Sequence, residues 1–251
     1  MKRLLIILAL WCVALEAMAQ TDSTTVSDKS YHFRPQQLIA PALLIGFGTW
    51  GLAEDSPTDW LEQRACYDMN PNGHKTKADE YLQYVPTGVH LVLGFIPGTK
   101  PRHNFRDRVL ASATANILMA AVTNTVKYTV KEQRPDSGKR NSFFSGHTAT
   151  AFTGAELMRI EYGWGYGAAA YAVAATTGFL RVYNKRHWVG DVLTGAGVGI
   201  LCANAGYWML PVWHKLFKIN DKPKQEKPFV VALPFYQCED RGLGLSCSIT
   251  L

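Results

Sequence analysis

Three short polar clusters interrupt a region otherwise made of apolar segments: KYTVKEQRP (residues 127–135), SGH (145–147) and RVYNKRHWVGD (181–191). Among their residues are three well-separated cations (Lys127, Arg134 and Arg181), two histidines, the Asp191 carboxylate and a Ser-Gly turn. Cationic side chains bind phosphate oxygens, and a histidine can attack a phosphorus atom or protonate a leaving group. The three clusters therefore predict a site that binds a phosphate group and reacts with it. The rest of the chain is expected to hold these residues in place.

The third cluster places His187 and Asp191 four residues apart. On a helix this spacing puts both side chains on one face, so the carboxylate can accept a hydrogen bond from one ring nitrogen and leave the other free. A histidine held in this way can act as a nucleophile or a base. The same spacing also occurs in ordinary surface pairs, so the pair alone does not decide between the two interpretations.

The second cluster, Ser145-Gly146-His147, lies where a polar loop meets an apolar segment. Serine is a favoured N-cap, and the amides of a first helical turn can bind an anion. Gly146 lets a phosphate oxygen approach the backbone, and His147 could protonate a leaving group from the first turn. A plain capped helix start is the alternative interpretation.

The first cluster contains Lys127 and Arg134, seven residues or about two helical turns apart, followed by Pro135. We expect both cations on one side of the end of a helix that Pro135 terminates. Arg134 and Arg181 can each hold phosphate oxygens in a planar fork, whereas Lys127 acts as a point charge. Solvated charges near a helix end are the alternative.

The order Lys-x6-Arg-Pro, Ser-Gly-His and Arg-x5-His-x3-Asp resembles the signature of the type 2 phosphatidic acid phosphatase and vanadium haloperoxidase superfamily. The motifs cover residues 127–191, and the apolar segments from 37 to 211 resemble the six-helix core of that family. The chain departs from the family pattern at Phe144, where proline is usual, and at Leu180, where serine is usual. The resemblance suggests a bacterial membrane-associated phosphatase acting on a phospholipid or on lipid A.

The resemblance implies a mechanism for these residues. His187 would attack phosphorus to form a phosphohistidine, Asp191 would orient it, and His147 would protonate the leaving oxygen and later activate water. The groups expected to bind the phosphate are Lys127, Arg134, Ser145, Gly146 and Arg181. No metal or cofactor is implied, and vanadate is expected to inhibit by mimicking phosphate.

Six apolar segments are expected to form an all-α, six-helix, transmembrane bundle within a core at residues 37–213. They lie at 37–54, 81–96, 109–130, 145–162, 166–182 and 189–211. Glycines at 195, 197 and 199 predict close helix contacts. Two observations oppose a membrane location: the mean hydropathy is only −0.06, and the fourth segment carries Glu156, Arg159 and Glu161, which are costly in lipid.

The ends of the chain have their own signatures. Residues 1–19 combine two cations, an apolar run and an Ala-Met-Ala motif, which indicates a cleaved signal peptide or an uncleaved anchor. Residues 20–36 are expected to be a linker, and residues 214–251 a basic linker followed by a β-like tail. Cys238 and Cys247 could form a disulfide in an oxidising compartment or remain separate thiols.

These features favour a bacterial cell-envelope protein whose partners are the membrane and a phosphorylated lipid. Although the formal charge is +6, no nucleic-acid module is recognisable, so nucleic acid is not expected as a partner. The candidate substrates are lipid A, undecaprenyl diphosphate, phosphatidylglycerol phosphate and phosphatidic acid. We expect an inner-membrane location with the site facing the periplasm, although the basic loop at 100–108 and the basic tail favour the opposite orientation.

Two alternatives remain open, and so does the oligomeric state. The first is a soluble or peripheral periplasmic acid phosphatase of the same superfamily with broad specificity. The second, less favoured, is a vanadium-dependent haloperoxidase.

Overall fold

The computed structural model describes residues 31–52 and 70–219, together with the backbone of residues 229–237 and 242–250. The predicted signal peptide and the side chains of Cys238 and Cys247 lie outside the described residues. The chain divides after Val212 into two compact units.

The first unit is built of helices, which confirms the all-α prediction. After a 3₁₀ turn at Pro35–Leu38, the α-helices are α1 (Ile39–Trp50), α2 (Ala78–Leu82), α3 (Val85–Val92), α4 (Phe105–Val130), α5 (Gly146–Tyr162), α6 (Trp164–Tyr183), α7 (Val189–Trp208) and α8 (Leu210–Leu216). A second 3₁₀ turn, Leu93–Phe95, follows α3.

The apolar segment at 81–96, expected to be one helix, is divided between α2, α3 and the Leu93–Phe95 turn. Pro86 lies in the first turn of α3, where a proline is tolerated because its missing N–H would have no partner inside the helix. The proline therefore starts a new helix where the pattern of apolar residues alone predicted a continuous one.

Helix α5 is the centre of the unit and packs against α3, α4, α6 and α7. Its close contact with α7 depends on the predicted glycines: a β-carbon at Gly195 would lie 2.6 Å from the Ser145 carbonyl oxygen, and one at Gly199 only 2.4 Å from that of Ala149. Any larger side chain would push the two helices apart. Gly195 thus fixes the position of the first turn of α5, where the second cluster lies.

The charged residues of α5 face the protein interior. Glu156 accepts hydrogen bonds from Arg159 (2.7 and 2.9 Å), Tyr171 (2.7 Å) and Asn204 (2.8 Å). Glu161 pairs with the ring of His103 at 2.9 Å. Because these groups are satisfied inside the bundle, they need no contact with lipid and no longer oppose a membrane location.

Two helical stretches are long and apolar enough to cross a membrane by length and composition, Phe105–Val130 and Val189–Leu216. Only 33% of the apolar window of the first is buried, compared with 72% for the second. At 12 and 8 residues, α1 and α3 are shorter than the roughly 20 residues that a bilayer requires.

The second unit contains an antiparallel pair, β1 (Phe229–Gln237) and β2 (Gly242–Thr250). Phe229 lies opposite Thr250, and Gln237 lies opposite Gly242 at the other end of the ladder. The β-like tail predicted from the sequence is therefore a two-stranded hairpin.

Candidate active site

The first cluster lies at the end of α4 and in the loop that follows. Lys127 is in the last turn of α4, which ends at Val130 because Lys131 adopts a left-handed conformation with φ of 51°. The expected helix through Arg134 to Pro135 is therefore wrong. Arg134 lies in the loop, where its Nε donates to the Asn141 side chain at 2.9 Å.

The second cluster forms the predicted capped start of α5. The Ser145 hydroxyl oxygen accepts hydrogen bonds from the Thr148 amide at 3.4 Å and from the Thr148 hydroxyl at 2.9 Å. The Ser145 amide donates to the Asp191 carbonyl at 3.1 Å. Because this amide already donates to Asp191, it cannot also bind phosphate, and the expectation that it does so is wrong. The groups that remain free to donate to a phosphate oxygen are the serine hydroxyl and the later amides of the turn.

The third cluster spans the junction between α6 and α7. Arg181 lies in the last turn of α6, Asp191 lies in the first turn of α7, and His187 precedes α7 by two residues. The His187 Nδ1 lies 3.2 Å from Asp191 Oδ2, which also accepts the Trp188 amide at 3.1 Å. The predicted pair therefore forms, but across the N-terminal cap of a helix rather than along a helical face.

Direct hydrogen bonds join the three clusters. The Trp188 indole donates to the Gln133 carbonyl at 2.9 Å, which ties the third cluster to the first. The bond from the Ser145 amide to the Asp191 carbonyl ties the second to the third. Residues separated by up to 55 positions in the chain are thus brought together.

Arg181 is held from one side by a residue that the sequence did not single out. Its Nη1 donates to Asp79 Oδ2 at 2.6 Å, and its Nε is buried without a hydrogen-bond partner. Asn184 donates to Asp79 Oδ1 at 3.1 Å and to the Thr76 carbonyl at 2.9 Å. Asp79, on α2, therefore fixes the guanidinium and leaves part of its donor edge for another acceptor.

The electrostatics of the site favour an anion. Burial lowers the pKa of His187 to about 4. Burial, followed by the charge of Arg181, lowers the pKa of His147 to about 4 as well. Burial and the same arginine lower the pKa of Arg134. Both histidines are therefore neutral at neutral pH, because burial and the neighbouring cations disfavour further positive charge.

The Phe144 departure from the family pattern removes no polar group from the site. Phe144 is buried and belongs to an apolar cluster with Met119, Val198 and Cys202. It packs edge-on against Phe143, with ring centroids 6.1 Å apart. An aromatic ring here anchors the loop before Ser145 in the core.

Two residues near the site, Asp79 and Ser142, were not predicted from the sequence. Ser142 is fully buried, and its hydroxyl donates to Asp191 Oδ2 at 2.5 Å. Its position three residues before Ser145 was the available signal. Asp79 gave no signal, because it lies 102 residues before Arg181 and meets it only through the fold.

Residues 108–215 match the model of the PAP2 superfamily. This finding confirms the resemblance carried by the three motifs. The matched region contains all eight of the candidate site residues and extends from the first turn of α4 into α8.

The chain is also similar to the lipid A 1-phosphatase of Porphyromonas gingivalis, with 45% identity over 140 residues. The aligned part is 53% of this chain and 31% of that protein, so the chain spans about a third of the length of the curated relative it matches. Among solved structures, the chain is similar to Aquifex aeolicus LpxE, with 22% sequence identity and a TM-score of 0.47. The superposed region covers 61% of this chain and 96% of that one.

Proposed function

Because residues 108–215 match the model of the PAP2 superfamily, we propose that this chain removes phosphate from a membrane lipid through a phosphohistidine intermediate. One observation carries the proposal: two neutral histidines and three cations converge at the junction of α4, α5 and α7. Lys127 forms no ion pair with any residue in the described part of the chain, and Arg181 has a buried Nε without a partner. A phosphate dianion supplies the missing negative charge.

In the first half of the reaction, the lipid phosphate binds between Lys127, Arg134 and Arg181, with further donors from the first turn of α5. The free Nε2 of His187 attacks phosphorus while Nδ1 remains paired with Asp191. As the N–P bond forms, the P–O bond to the lipid breaks and the leaving oxygen takes a proton from His147.

The bound dianion also prepares His147 for this role. The pKa of His147 is lowered to about 4, mainly by burial and then by Arg181. A dianion beside the ring offsets both effects and favours the protonated imidazole. Substrate binding therefore supplies the condition under which His147 can act as an acid.

In the second half, neutral His147 takes a proton from a water molecule that attacks phosphorus from the side that the lipid has left. The N–P bond breaks, inorganic phosphate leaves, and His187 returns to its neutral form. Because the three cations stabilise the charge on the equatorial oxygens, we propose that no metal ion takes part. Phosphate release should then continue in EDTA, whereas vanadate should compete with the substrate.

A membrane location is supported by the outer surface of the helices. Large apolar side chains are exposed on α1, on α4 and in the turn after α3, including Ile117 (69%), Leu43 (65%) and Phe95 (64%). Such a surface is unfavourable in water and suits lipid. We propose an inner-membrane protein of the bacterial envelope with its site at the periplasmic face.

The substrate proposal follows from the relative. The similar Porphyromonas gingivalis protein is named a lipid A 1-phosphatase, so a phosphorylated glycolipid of the lipid A kind is the first substrate to test. Undecaprenyl diphosphate, phosphatidylglycerol phosphate and phosphatidic acid are the comparison substrates.

The test is phosphate release by purified protein in detergent from this panel, with a soluble aryl phosphate as a control. We expect release from at least one lipid at a kcat/KM well above that for the soluble ester. Acid-stable labelling would contradict the intermediate, because phosphohistidine is acid-labile. Equal rates on the soluble ester and the lipids would favour the broad-specificity phosphatase instead.

A further inference from the structure

A single carboxylate oxygen, Asp191 Oδ2, is contacted by three groups. They are the Ser142 hydroxyl at 2.5 Å, the Trp188 amide at 3.1 Å and the His187 Nδ1 at 3.2 Å. The Ser142 oxygen is also 3.4 Å from the His187 Nδ1. Serine, aspartate and histidine therefore form a closed triangle, all three of them buried.

The chemistry of the triangle decides which ring nitrogen of His187 carries the proton. A backbone N–H can only donate, so Asp191 Oδ2 acts as an acceptor toward Trp188. The Ser142 hydroxyl has one proton and directs it to this same oxygen. Ser142 can then only accept from His187, as can Asp191, so Nδ1 faces two acceptors and no donor.

We propose that Ser142 is a positioning residue that, together with Asp191, holds His187 in the Nδ1–H form so that the lone pair of Nε2 points to the substrate. The inference rests on the proposed role of His187 as the nucleophile. Ser142 acts through His187 and Asp191 and does not itself touch the phosphate.

The surroundings of Ser142 support a fixed geometry. Its amide donates to the Glu132 carbonyl at 3.0 Å, which ties it to the chain just before Arg134. The next two residues, Phe143 and Phe144, are buried in the apolar core. The hydroxyl is thus held from both sides, and the pKa of His187, lowered to about 4 by burial, keeps the ring neutral, so the choice of tautomer matters.

The first test compares Ser142→Ala with Ser112→Ala, which removes a buried hydroxyl from α4 outside the site. For Ser142→Ala we expect kcat to fall about 10-fold to 100-fold, the range for a lost buried hydrogen-bond partner, with KM and the affinity for orthophosphate within about 2-fold. Ser112→Ala should keep the wild-type kcat. An unchanged kcat in Ser142→Ala, or equal losses of kcat and orthophosphate affinity, would overturn the proposal.

The second test does not depend on turnover. In protein labelled with ¹⁵N-histidine, at a pH above 6.5, the wild-type His187 should show a protonated Nδ1 and an unprotonated Nε2, and Ser142→Ala should show a mixture of both tautomers. A wild-type Nε2–H form, or an unchanged tautomer in Ser142→Ala, would contradict the positioning role. If the wild-type protein releases no phosphate from any lipid, the proposed function fails, whereas these ring-nitrogen shifts still decide the role of Ser142.

Discussion

The two ends of α5 contain buried polar clusters of opposite character. At the C-terminal end, Glu156 accepts four hydrogen bonds, and Glu161 is paired with His103 and with the Tyr207 hydroxyl. At the N-terminal end, the Arg181 Nε is buried without a hydrogen-bond partner among the described residues. The cations Arg134 and Arg181 lie near Lys127 and repel its charge. The same helix thus carries one cluster that is electrostatically complete and one that is not.

This difference separates stabilisation from function. A buried charge is costly unless it is paired, so the C-terminal cluster is arranged as a structural network requires. The N-terminal cluster contains positive charge that no carboxylate fully offsets, which lowers the stability of the fold. Such a cost is expected where a negatively charged ligand binds. Changes in the C-terminal cluster should therefore alter folding, and changes in the N-terminal cluster should alter activity.

The largest expected effect is at the N-terminal cluster. His187→Gln removes the proposed nucleophile and should reduce phosphate release by about 10⁴-fold or more, with little change in the melting temperature. The matched control is His90→Gln, because His90 is also fully buried and its pKa is also lowered to about 4 by burial. His90→Gln should keep most of the activity. Activity near the wild-type level in His187→Gln would mean that the N-terminal cluster is not the catalytic one.

Glu156→Ala should give the converse result. It leaves the Arg159 charge without its buried partner and should lower the free energy of unfolding by about 3–5 kcal/mol. Chemical denaturation in detergent measures the loss, and Glu80→Ala, an exposed glutamate on α2, is the control. Stability equal to that of wild type would show that the C-terminal network is not structural.

Acidification should weaken the bundle through its buried histidines. The pKa of His90 is lowered to about 4 by burial, so the unfolded chain binds a proton more readily than the folded chain between pH 6.5 and 4. The contribution of neutral His90 to the free energy of unfolding is fully present above pH 6.5 and is lost as pH falls through this window. For a pKa lowered from 6.5 to about 4, the loss is roughly 3 kcal/mol. The stability of wild type relative to His90→Gln should therefore fall as pH drops from 6.5 to 4, and parallel pH profiles of the two proteins would contradict this.

Asp79→Asn tests the support of Arg181. The amide keeps an oxygen near the guanidinium but removes the negative charge, so the arginine should be less well oriented and kcat/KM should fall about 10-fold to 100-fold. Asp107→Asn, a buried carboxylate near the start of α4, serves as the control and should keep kcat/KM. If both variants lose activity equally, Asp79 has no special relation to the site.

The smallest effect is expected at the protein surface. Lys75 pairs with Asp136 at 2.8 Å, but its side chain is 47% exposed. Lys75→Ala should change the free energy of unfolding by less than about 1 kcal/mol, because water screens such pairs. Thermal unfolding measures it, and a loss as large as that of Glu156→Ala would require a role for this pair that burial does not explain.

The sequence predicted the helices and the site to different degrees. The boundaries of α5, α6 and α7 followed from long apolar periods and clear caps such as Ser145, and the structure places them close to the expected positions. The break in the segment at 81–96 was missed, because Pro86 is compatible with a helix start as well as with a kinked membrane helix. The apolar segment at 109–130 gave the correct end of α4 at Val130, but the expectation that the helix continues to Pro135 was wrong, since the left-handed turn at Lys131 has no glycine to indicate it.

Residue types and spacing were enough to identify the chemical groups of this protein: the order of the cations and histidines in three short motifs, and the apolar segments between them. These are local properties of the chain. The groups that support the site could be identified only from the fold, because Asp79 and Ser142 contact Arg181 and the His187–Asp191 pair across 102, 45 and 49 positions of the chain. Contacts of that kind depend on how α2, α6 and α7 pack around α5, and short-range sequence patterns contain no record of that packing.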